Sequence, residues 1–240
     1  MKKIAAQAVD TAQNAFSAHR SGWAAALLWA CAAGLTGCAL PLPDKPARPA
    51  TYDFGPATAP TTPTDTAPQA SAIALPPVTA PAVLDTQAVL YRLAYAGHAQ
   101  QLRPYAQARW SMTPADLFSQ RLHAALAAIR PVVPTGEGLA PVELRVHLDE
   151  FSQVFDAPGQ SHARLRLRAT AIAPQAAQRL LGQRSFSVQR PAATADAPGG
   201  ARALAEASDA AIAELTGWLA QLQLPATAAP SAAAPATPSR

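Results

Sequence analysis

Two neighbouring segments alternate between apolar and polar residues with the period of a half-buried β-strand. In residues 142–148, Val and Leu at even positions alternate with Glu143, Arg145 and His147. In residues 163–169, Ala and Leu at odd positions alternate with arginines. The loop between them contains Pro-Gly, which suits a hairpin. A chain with such a hairpin must cover one face of a sheet with its other elements.

The remaining periodic segments supply those elements. Thr113-Pro114-Ala115-Asp116 predicts the start of a helix, with a capping hydroxyl, proline in the first turn and a carboxylate after it. Pro104 lies inside the strand predicted over residues 102–110 and marks it as an edge or bulged strand. Further strands are predicted over residues 71–78, 88–95, 102–110 and 180–189, and a second helix over 201–222. The order β-β-β-α-β-β-β-α predicts a single α+β domain, mainly antiparallel sheet with two helices packed on one face.

Residues 1–37 have the character of a lipoprotein signal peptide. Basic residues precede an apolar stretch over residues 22–35, as in secretory signals. The stretch ends in Leu35-Thr36-Gly37-Cys38, which resembles the lipobox of bacterial lipoproteins. The resemblance implies cleavage before Cys38, diacylglycerol on its thiol and an acyl chain on its amine, with no other cofactor. Ala39, in place of the aspartate of inner-membrane lipoproteins, favours the periplasmic side of the outer membrane over the inner membrane.

Proline and alanine divide the rest of the chain. The 240 residues include 24 prolines, and about a quarter are alanine. Such composition predicts a lipidated tether over residues 38–50, a flexible loop over 57–70 and a disordered tail over 225–240. The folded domain is therefore predicted to span residues 51–224. No later stretch approaches the ~18–20 consecutive apolar residues of a membrane span.

Charge and motif patterns exclude several classes of protein. The formal net charge of +4 is small and scattered, so no nucleic-acid partner is expected. Because Cys31 would be removed with the signal peptide, Cys38 is the only cysteine expected in the mature chain, and an internal disulfide is excluded. The histidines have no metal-ligand spacing, and the chain lacks a Gly-x-Ser-x-Gly elbow and a P-loop. We therefore expect no metal site, no catalytic residues and no enzymatic activity.

Polar residues of the predicted hairpin allow two interpretations. His147 beside Asp149 could act as a general base, although a solvated histidine next to a carboxylate is the simpler interpretation. Arg164, Arg166 and Arg168 share one face at a spacing of about 6.5–7 Å. They could bind lipid phosphates or an acidic partner. Pairing across the hairpin with Glu143 and Asp149 is favoured, because these carboxylates have matching parity.

An aromatic and arginine set precedes the first helix. Its aromatic members either pack in the core or form a surface for a partner subunit, since Tyr, Trp and Arg are enriched at binding hot spots. The candidate partner-binding residues are Tyr91, Arg92, Tyr95, Tyr105, Arg109 and Trp110.

The order of these motifs resembles the ABC-type transport auxiliary lipoproteins. The resemblance covers about residues 38–222 and rests on the lipobox, Tyr52-Asp53-Phe54-Gly55, Ala72-Ile73-Ala74-Leu75-Pro76-Pro77-Val78, Val89-Leu90-Tyr91-Arg92, Arg109-Trp110, Leu148-Asp149-Glu150-Phe151, the strand at 163–171 and the last helix. It implies a non-catalytic subunit that assists an ABC permease and ATPase and an Mce-domain protein in lipid transport, with a homo-oligomer possible. The long Pro/Thr insert after Phe54 departs from the family pattern.

A second class of function stays open at this point. Small α+β lipoproteins also activate cell-wall enzymes or plug outer-membrane barrels. Sequence alone does not separate these assembly roles from transport, nor does it identify the lipid moved.

The lipobox generates the first prediction. Mass spectrometry of the mature protein should show an acylated N-terminal Cys38. Cys38→Ala should leave the protein unprocessed or released from the membrane, whereas the matched variant Cys31→Ala should be processed normally. A processed, membrane-bound Cys38→Ala protein would contradict the assignment.

Overall fold

A computed structural model describes residues 48–56, 71–136 and 140–225. The predicted signal peptide, Cys38, most of the tether, the 57–70 loop and all but the first residue of the tail lie outside them. The elements in chain order are β1 (Ala50–Tyr52), β2 (Ile73–Ala74), β3 (Ala88–Leu93), β4 (His98–Trp110), α1 (Pro114–Ala127), β5 (Val132–Val133), β6 (Val142–Ala157), β7 (Gln160–Ala173), β8 (Arg179–Pro191) and α2 (Ala197–Gln221).

The prediction of a mainly antiparallel sheet is wrong. In the described residues the eight-stranded sheet is mixed, and four of its seven pairings are parallel: β1 with β4, β2 with β5, β2 with β6 and β3 with β6. The antiparallel pairings join successive strands, namely β3 with β4, β6 with β7 and β7 with β8. Parallel strands need long crossover connections, which alternation within one segment does not reveal.

β6 is the central strand of the sheet. β7 pairs along one side of it, while β2, Thr79 and β3 follow one another along the other. Its register shifts between Leu148 and Glu150, which inserts Asp149 as a bulge. Leu148 lies opposite Leu167, and beyond the bulge Phe151 lies opposite Leu165. Even positions before the bulge and odd positions after it therefore point to the same face.

That face, the inner face, carries the core. Leu148, Leu165 and Leu167 of β6 and β7 are fully buried on it. Phe186 of β8, in register with Leu167, meets the ring of Trp218 from α2 edge-on, with centroids 6.0 Å apart. α2 therefore packs on the inner face. The opposite, outer face carries other polar residues and the row Arg164, Arg166 and Arg168, here called the arginine stripe.

The helix starts follow from their capping residues. The Thr113 hydroxyl accepts the N–H of Asp116, so α1 begins where the sequence predicts. α2 begins at Ala197 rather than at 201, because the Asp196 carboxylate accepts the N–H of Gly199 at 2.8 Å. Proline is tolerated in a first helical turn, since its missing N–H has no partner there. Pro198, Gly199 and Gly200, which the sequence prediction left outside the helix, therefore form its first turn.

Arg121 of α1 joins three separate parts of the chain. Its guanidinium donates to the carbonyls of Phe54 (2.6 Å) and Gly55 (3.3 Å), just after β1. Its Nε lies 2.9 Å from Oδ1 of Asp209 on α2. Partial burial raises the pKa of Asp209, and the nearby guanidinium opposes that rise. This contact fixes the segment after β1 against both helices.

No helix of the described ranges is both long and apolar enough to cross a membrane.

Two glycines of α2 give a matched prediction. A Cβ on Gly199 would stand 2.1 Å from the backbone carbonyl oxygen of Thr194, so the first turn would have to move. A Cβ on Gly217, on the exposed side of the same helix, would meet nothing within 4 Å. Gly199→Ala should lower the free energy of unfolding by about 2 kcal/mol or more, as overpacking does.

Gly217→Ala is the control and should raise the free energy of unfolding by roughly 0.5–1 kcal/mol, because alanine is the better helix former. Urea unfolding followed by circular dichroism measures both variants. Equal effects of the two substitutions would contradict the close contact at Gly199.

Candidate partner-binding surface

The structure places all six candidate residues on or beside one hairpin, formed by β3, the 3₁₀ turn Ala94–Ala96 and β4. They do not form one surface. Tyr91 and Tyr105 lie on the inner face, Arg92 on the outer face and Trp110 in the core. Tyr95 and Arg109 lie near opposite ends of the hairpin.

Tyr91 and Tyr105 form an aromatic cluster with Phe155. The two tyrosine rings have centroids 4.6 Å apart, and Phe155 of β6 meets Tyr91 edge-on at 5.8 Å. All three rings are half-buried. Aromatic contacts of this kind contribute about 0.5–1.5 kcal/mol beyond burial. The cluster is therefore a rigid, partly exposed apolar surface with phenolic groups.

A buried hydrogen-bond network holds Tyr105 in place. Its hydroxyl donates to Oε1 of Gln153 at 2.9 Å, and Nε2 of Gln153 donates to Oγ of Ser161 at 2.7 Å. Gln153 is fully buried. A buried amide without partners is costly, so these bonds stabilise the orientation of the ring.

The environment keeps Tyr105 protonated. Burial raises its pKa well above the usual value, and electrostatic repulsion from Tyr91 and Asp196 adds to the rise. The pKa of Asp196 is itself lowered, because its carboxylate accepts hydrogen bonds from the Thr194 hydroxyl and the Gly199 N–H. Tyr105 is thus a neutral hydrogen-bond donor at physiological pH.

Arg92 stabilises the hairpin from the outer face. Its guanidinium donates to the carbonyls of Ala99 (3.1 Å) and Gln100 (3.2 Å) on β4. Its Nε also lies 4.0 Å from a carboxylate oxygen of Glu150. These contacts hold the beginning of β4 against β3, which makes Arg92 a structural residue of the hairpin.

Tyr95 and Arg109 are the accessible members of the set. Tyr95 is 47% exposed in the turn before Gly97. Arg109 is exposed on β4, where its Nε donates to the Thr51 hydroxyl at 3.3 Å. Both side chains can reach a partner without a change in the fold.

Trp110 does not belong to this surface. It is 1% exposed and packs against Phe54 and Phe151, with centroids 5.8 and 5.7 Å away. Burial therefore leaves the Trp110 ring no exposed surface for the predicted partner contact. Trp110 and Arg109 are adjacent in the sequence, but successive residues of a strand point to opposite faces, so the two side chains do not share a surface.

The arginine stripe is paired only in part. Arg168 lies 3.3 Å from Asp149, as the cross-strand interpretation requires. Glu143 instead pairs with Arg145 of its own strand, at 2.6 Å. Among the described residues, Arg166 forms no ion pair. Cross-strand pairing therefore accounts for one of the three arginines.

Arg164 lies at the end of a short polar chain. Its Nη2 is 3.4 Å from Nε2 of His162, whose Nδ1 is 2.7 Å from an Asp156 carboxylate oxygen. This arrangement favours the tautomer with the proton on Nδ1, because Nε2 must accept from the guanidinium. These contacts orient Arg164 along β7.

His147 has a hydroxyl on one side and a carboxylate on the other. Its Nδ1 is 2.9 Å from the Thr79 hydroxyl, and its Nε2 is 3.7 Å from Asp149. The second distance is too long for the hydrogen bond that would orient a catalytic imidazole. Asp149 also pairs with Arg168. The geometry supports a solvated polar cluster rather than a general base.

Gln153, Ser161 and Phe155 are the site residues that the sequence prediction missed. The regular alternation ends at Asp149, so the sequence pattern assigned no face to the residues after it, whereas β6 continues to Ala157. Alternation resumes at Phe151 if one residue is skipped. That phase shift is the signal that could have located them.

A model of the family described as "ABC-type transport auxiliary lipoprotein component" matches residues 52–216 of the chain. A crystal structure of a Xanthomonas campestris protein of the DUF330 family is 20% identical, with a TM-score of 0.56 over 72% of this chain and 92% of that one. The crystal structure of an uncharacterized protein is 15% identical, with a TM-score of 0.54 over 72% and 99%. These two likenesses concern the fold. No curated protein matches the chain.

The tyrosine cluster generates a stability prediction. Tyr105→Phe leaves Oε1 of the buried Gln153 without its donor and should lower the free energy of unfolding by about 1–2 kcal/mol. Tyr91→Phe is the matched control, since no hydrogen bond of the Tyr91 hydroxyl is found among the described residues; it should change stability by less than about 0.5 kcal/mol.

The pH dependence of the same variants tests the network further. Because the folded state raises the pKa of Tyr105, it keeps a proton that the unfolded state loses above the ordinary value of 10.0. Stability should therefore fall as pH rises through and beyond that value. Tyr105→Phe should lose less stability than the parent protein over this range. Parallel curves would contradict the burial of the hydroxyl.

Proposed function

The chain belongs to the family of ABC-type transport auxiliary lipoprotein components, and we propose that it is the non-catalytic, lipid-anchored subunit of an ABC transport system that contains an Mce-domain protein. In this role it assists lipid transport that maintains the outer membrane, from the periplasmic side of that membrane. The observation that carries the proposal is the family match over residues 52–216, which spans most of the fold and confirms the resemblance found in the sequence.

The route of the chain into the fold supports an anchored role. Ala50 follows Cys38 by twelve positions, so the connection between them spans at most about 40 Å. Lipidation of Cys38 would therefore keep the domain close to the membrane surface. Two or more acyl chains give firm anchoring, at about 0.8 kcal/mol per buried CH₂.

The partner contact is assigned to the accessible part of the β3–β4 hairpin. The hairpin surface is the set of its accessible side chains, which lie at two places: Tyr95 in the turn with the half-buried rings of Tyr91 and Tyr105 on the strands, and Arg109 at the far end of β4. Tyrosine and arginine are both residue types typical of binding hot spots. We assign the Mce-domain protein or the permease and ATPase complex as its partner.

The polar clusters of the outer face support a non-catalytic role. The carboxylate nearest His147 is that of Asp149, and it pairs with Arg168. The Thr79 hydroxyl, which contacts the His147 ring, also lies 3.4 Å from the Val146 carbonyl oxygen. These contacts do not activate the Thr79 hydroxyl as a nucleophile, because activation requires a hydroxyl, a base and an orienting group in mutual hydrogen-bond contact. The charged residues here act through binding and stability.

Co-purification from native membranes tests the proposal. The parent protein should recover an ABC permease, its ATPase and an Mce-domain protein. Tyr95→Ala and Arg109→Ala should each weaken that recovery several-fold and sensitise cells to membrane stress, since loss of a hot-spot side chain costs about 1–2 kcal/mol or more.

Ile129→Ala is the matched control, because this side chain is 42% exposed but lies after α1, outside the hairpin surface. It should leave recovery unchanged. If the parent protein recovers cell-wall synthases or an outer-membrane barrel and no ABC or Mce component, the transport function is refuted in favour of an assembly function.

A further inference from the structure

β8 is a long strand with one unoccupied side. It runs over 13 residues and, among the described residues, pairs with β7 alone. Alternate residues of an edge strand direct their N–H and C=O groups away from the sheet. β8 contains no proline before Pro191, its last residue, so none of the earlier donors is missing. The strand therefore offers a continuous row of backbone donors and acceptors.

Other edges of the sheet are protected in ways that β8 is not. β1 and β5 are only three and two residues long. Within the described part of the chain, β4 is unpaired over residues 98–107 on the side away from β3, but Pro104 removes a donor and two register shifts interrupt its pairing with β3. Short strands, proline and bulges are the usual means of preventing strand addition. β8 has a single register shift, near Gly182, and is regular from there to its end.

The charge of β8 has one sign. Arg179, Arg184 and Arg190 lie on it, with no Asp or Glu between them. In the part of the chain that the structure describes, none of the three forms an ion pair. The Arg184 guanidinium lies 5.2 Å from the centre of the Phe186 ring, and Arg190 donates to the carbonyl of Gln189. These guanidinium groups remain available to carboxylates.

The register of β8 sets which side chains a new strand would meet. Arg184, Phe186, Val188 and Arg190 pair with Ala169, Leu167, Leu165 and Ala163 of β7 and so lie on the inner face, beside α2. Arg184 and Arg190 are exposed there, whereas Phe186 and Val188 are each only 3% exposed, so the two arginines are the accessible side chains of this face of the edge. The residues that alternate with these four lie on the outer face, and all of them are neutral: Gln183, Ser185, Ser187 and Gln189.

We propose that β8 binds an extended acidic segment of a protein partner as an added strand. The complementary segment carries acid-x-apolar-x-apolar-x-acid, so that its carboxylates meet Arg184 and Arg190, while its two apolar residues lie beside the backbone of Phe186 and Val188 at the margin of the core. This pattern is the same in both chain directions and therefore fits a parallel or an antiparallel strand. Backbone hydrogen bonds supply affinity, and the alternating side chains supply specificity.

A second copy of this chain does not satisfy the same edge. Antiparallel pairing of two β8 strands about Ser187 places Arg184 of each copy opposite Arg190 of the other. Like charges directly opposite each other destabilise a pair of strands. The charge of β8 therefore selects a partner of a different sequence. The inference does not depend on the proposed transport function, because it concerns only the edge and its ligand.

Peptide binding to the full-length protein in a neutral detergent tests the inference. The probe is the blocked peptide Glu-Thr-Val-Thr-Val-Thr-Glu, and the matched peptide has Lys in place of both Glu residues. The acidic peptide should bind at least tenfold more tightly, and its affinity should fall as salt screens the charges. Hydrogen exchange should show new protection of alternate amides in β8.

Two controls separate strand addition from simple charge attraction. Two versions of the acidic peptide, one N-methylated at both valines and one at all three threonines, keep the charge but each lack alternate backbone donors. The version whose methyl groups face β8 should lose binding, and the other should keep it. Arg184→Glu/Arg190→Glu should reverse the preference toward the lysine peptide. Arg166→Glu/Arg168→Glu, an equal charge change on the outer face of β7, should retain the preference for the acidic peptide. Thermal melting verifies that both variants fold.

Three outcomes would overturn the inference. Unimpaired binding of both N-methylated peptides would show attraction by charge without strand addition. No binding, or no preference between the acidic and lysine peptides, would show that the arginines merely protect the edge from aggregation. A reversed preference in the Arg166→Glu/Arg168→Glu variant would place the binding on the outer face. The recovery of transport components in the earlier experiment is unaffected by any of these results.

Discussion

The inserted residue at Asp149 is the constraint on which the arrangement of the sheet depends. Because side chains of a strand alternate between faces, one extra residue exchanges the faces of everything that follows it. Here it lets both Leu148 and Phe151 lie in the core. Without it, Phe151 would leave the core and Gln153 would turn away from Tyr105. One irregularity in the central strand therefore holds both the aromatic core and the tyrosine cluster.

Local features of the chain could be predicted from the sequence, because their causes lie within a few residues. The cap at Thr113 and the hairpin turn at Gly159, where φ is 87°, are of this kind. The parallel pairing of β3 with β6 could not be predicted, since about 50 residues, including β4 and α1, lie between these strands. The burial of Trp110 is also a tertiary effect: it depends on Phe54 and Phe151, which are distant in the sequence.

The tyrosine cluster shows how a partly exposed surface is kept in one conformation. Surface tyrosines usually move among rotamers, and a partner must then immobilise them at an entropic cost. Tyr105 is already fixed, because its hydroxyl bonds to an amide that is itself bonded to Ser161. Close contact between Gly200 and Gln153 adds α2 to this arrangement, since a Cβ there would stand 2.0 Å from Oε1. The Tyr105 ring of the hairpin surface is therefore ordered before any partner arrives.

The guanidinium of Arg121 also has a mechanical consequence. If the domain is anchored through lipid on Cys38, as proposed, it is pulled through the residues of β1 whenever the membrane and a bound partner move apart. Those residues pair in parallel with the end of β4, at Ala50, Thr51 and Tyr52. A pull along β1 loads these pairings together in shear instead of opening them one at a time. Beyond them, the carbonyls held by Arg121 pass the load to α1 and α2. Tension on the anchor is thus carried by the helices and by the pairing of β1 with β4, while the β3–β4 turn and the β8 edge remain outside the loaded path.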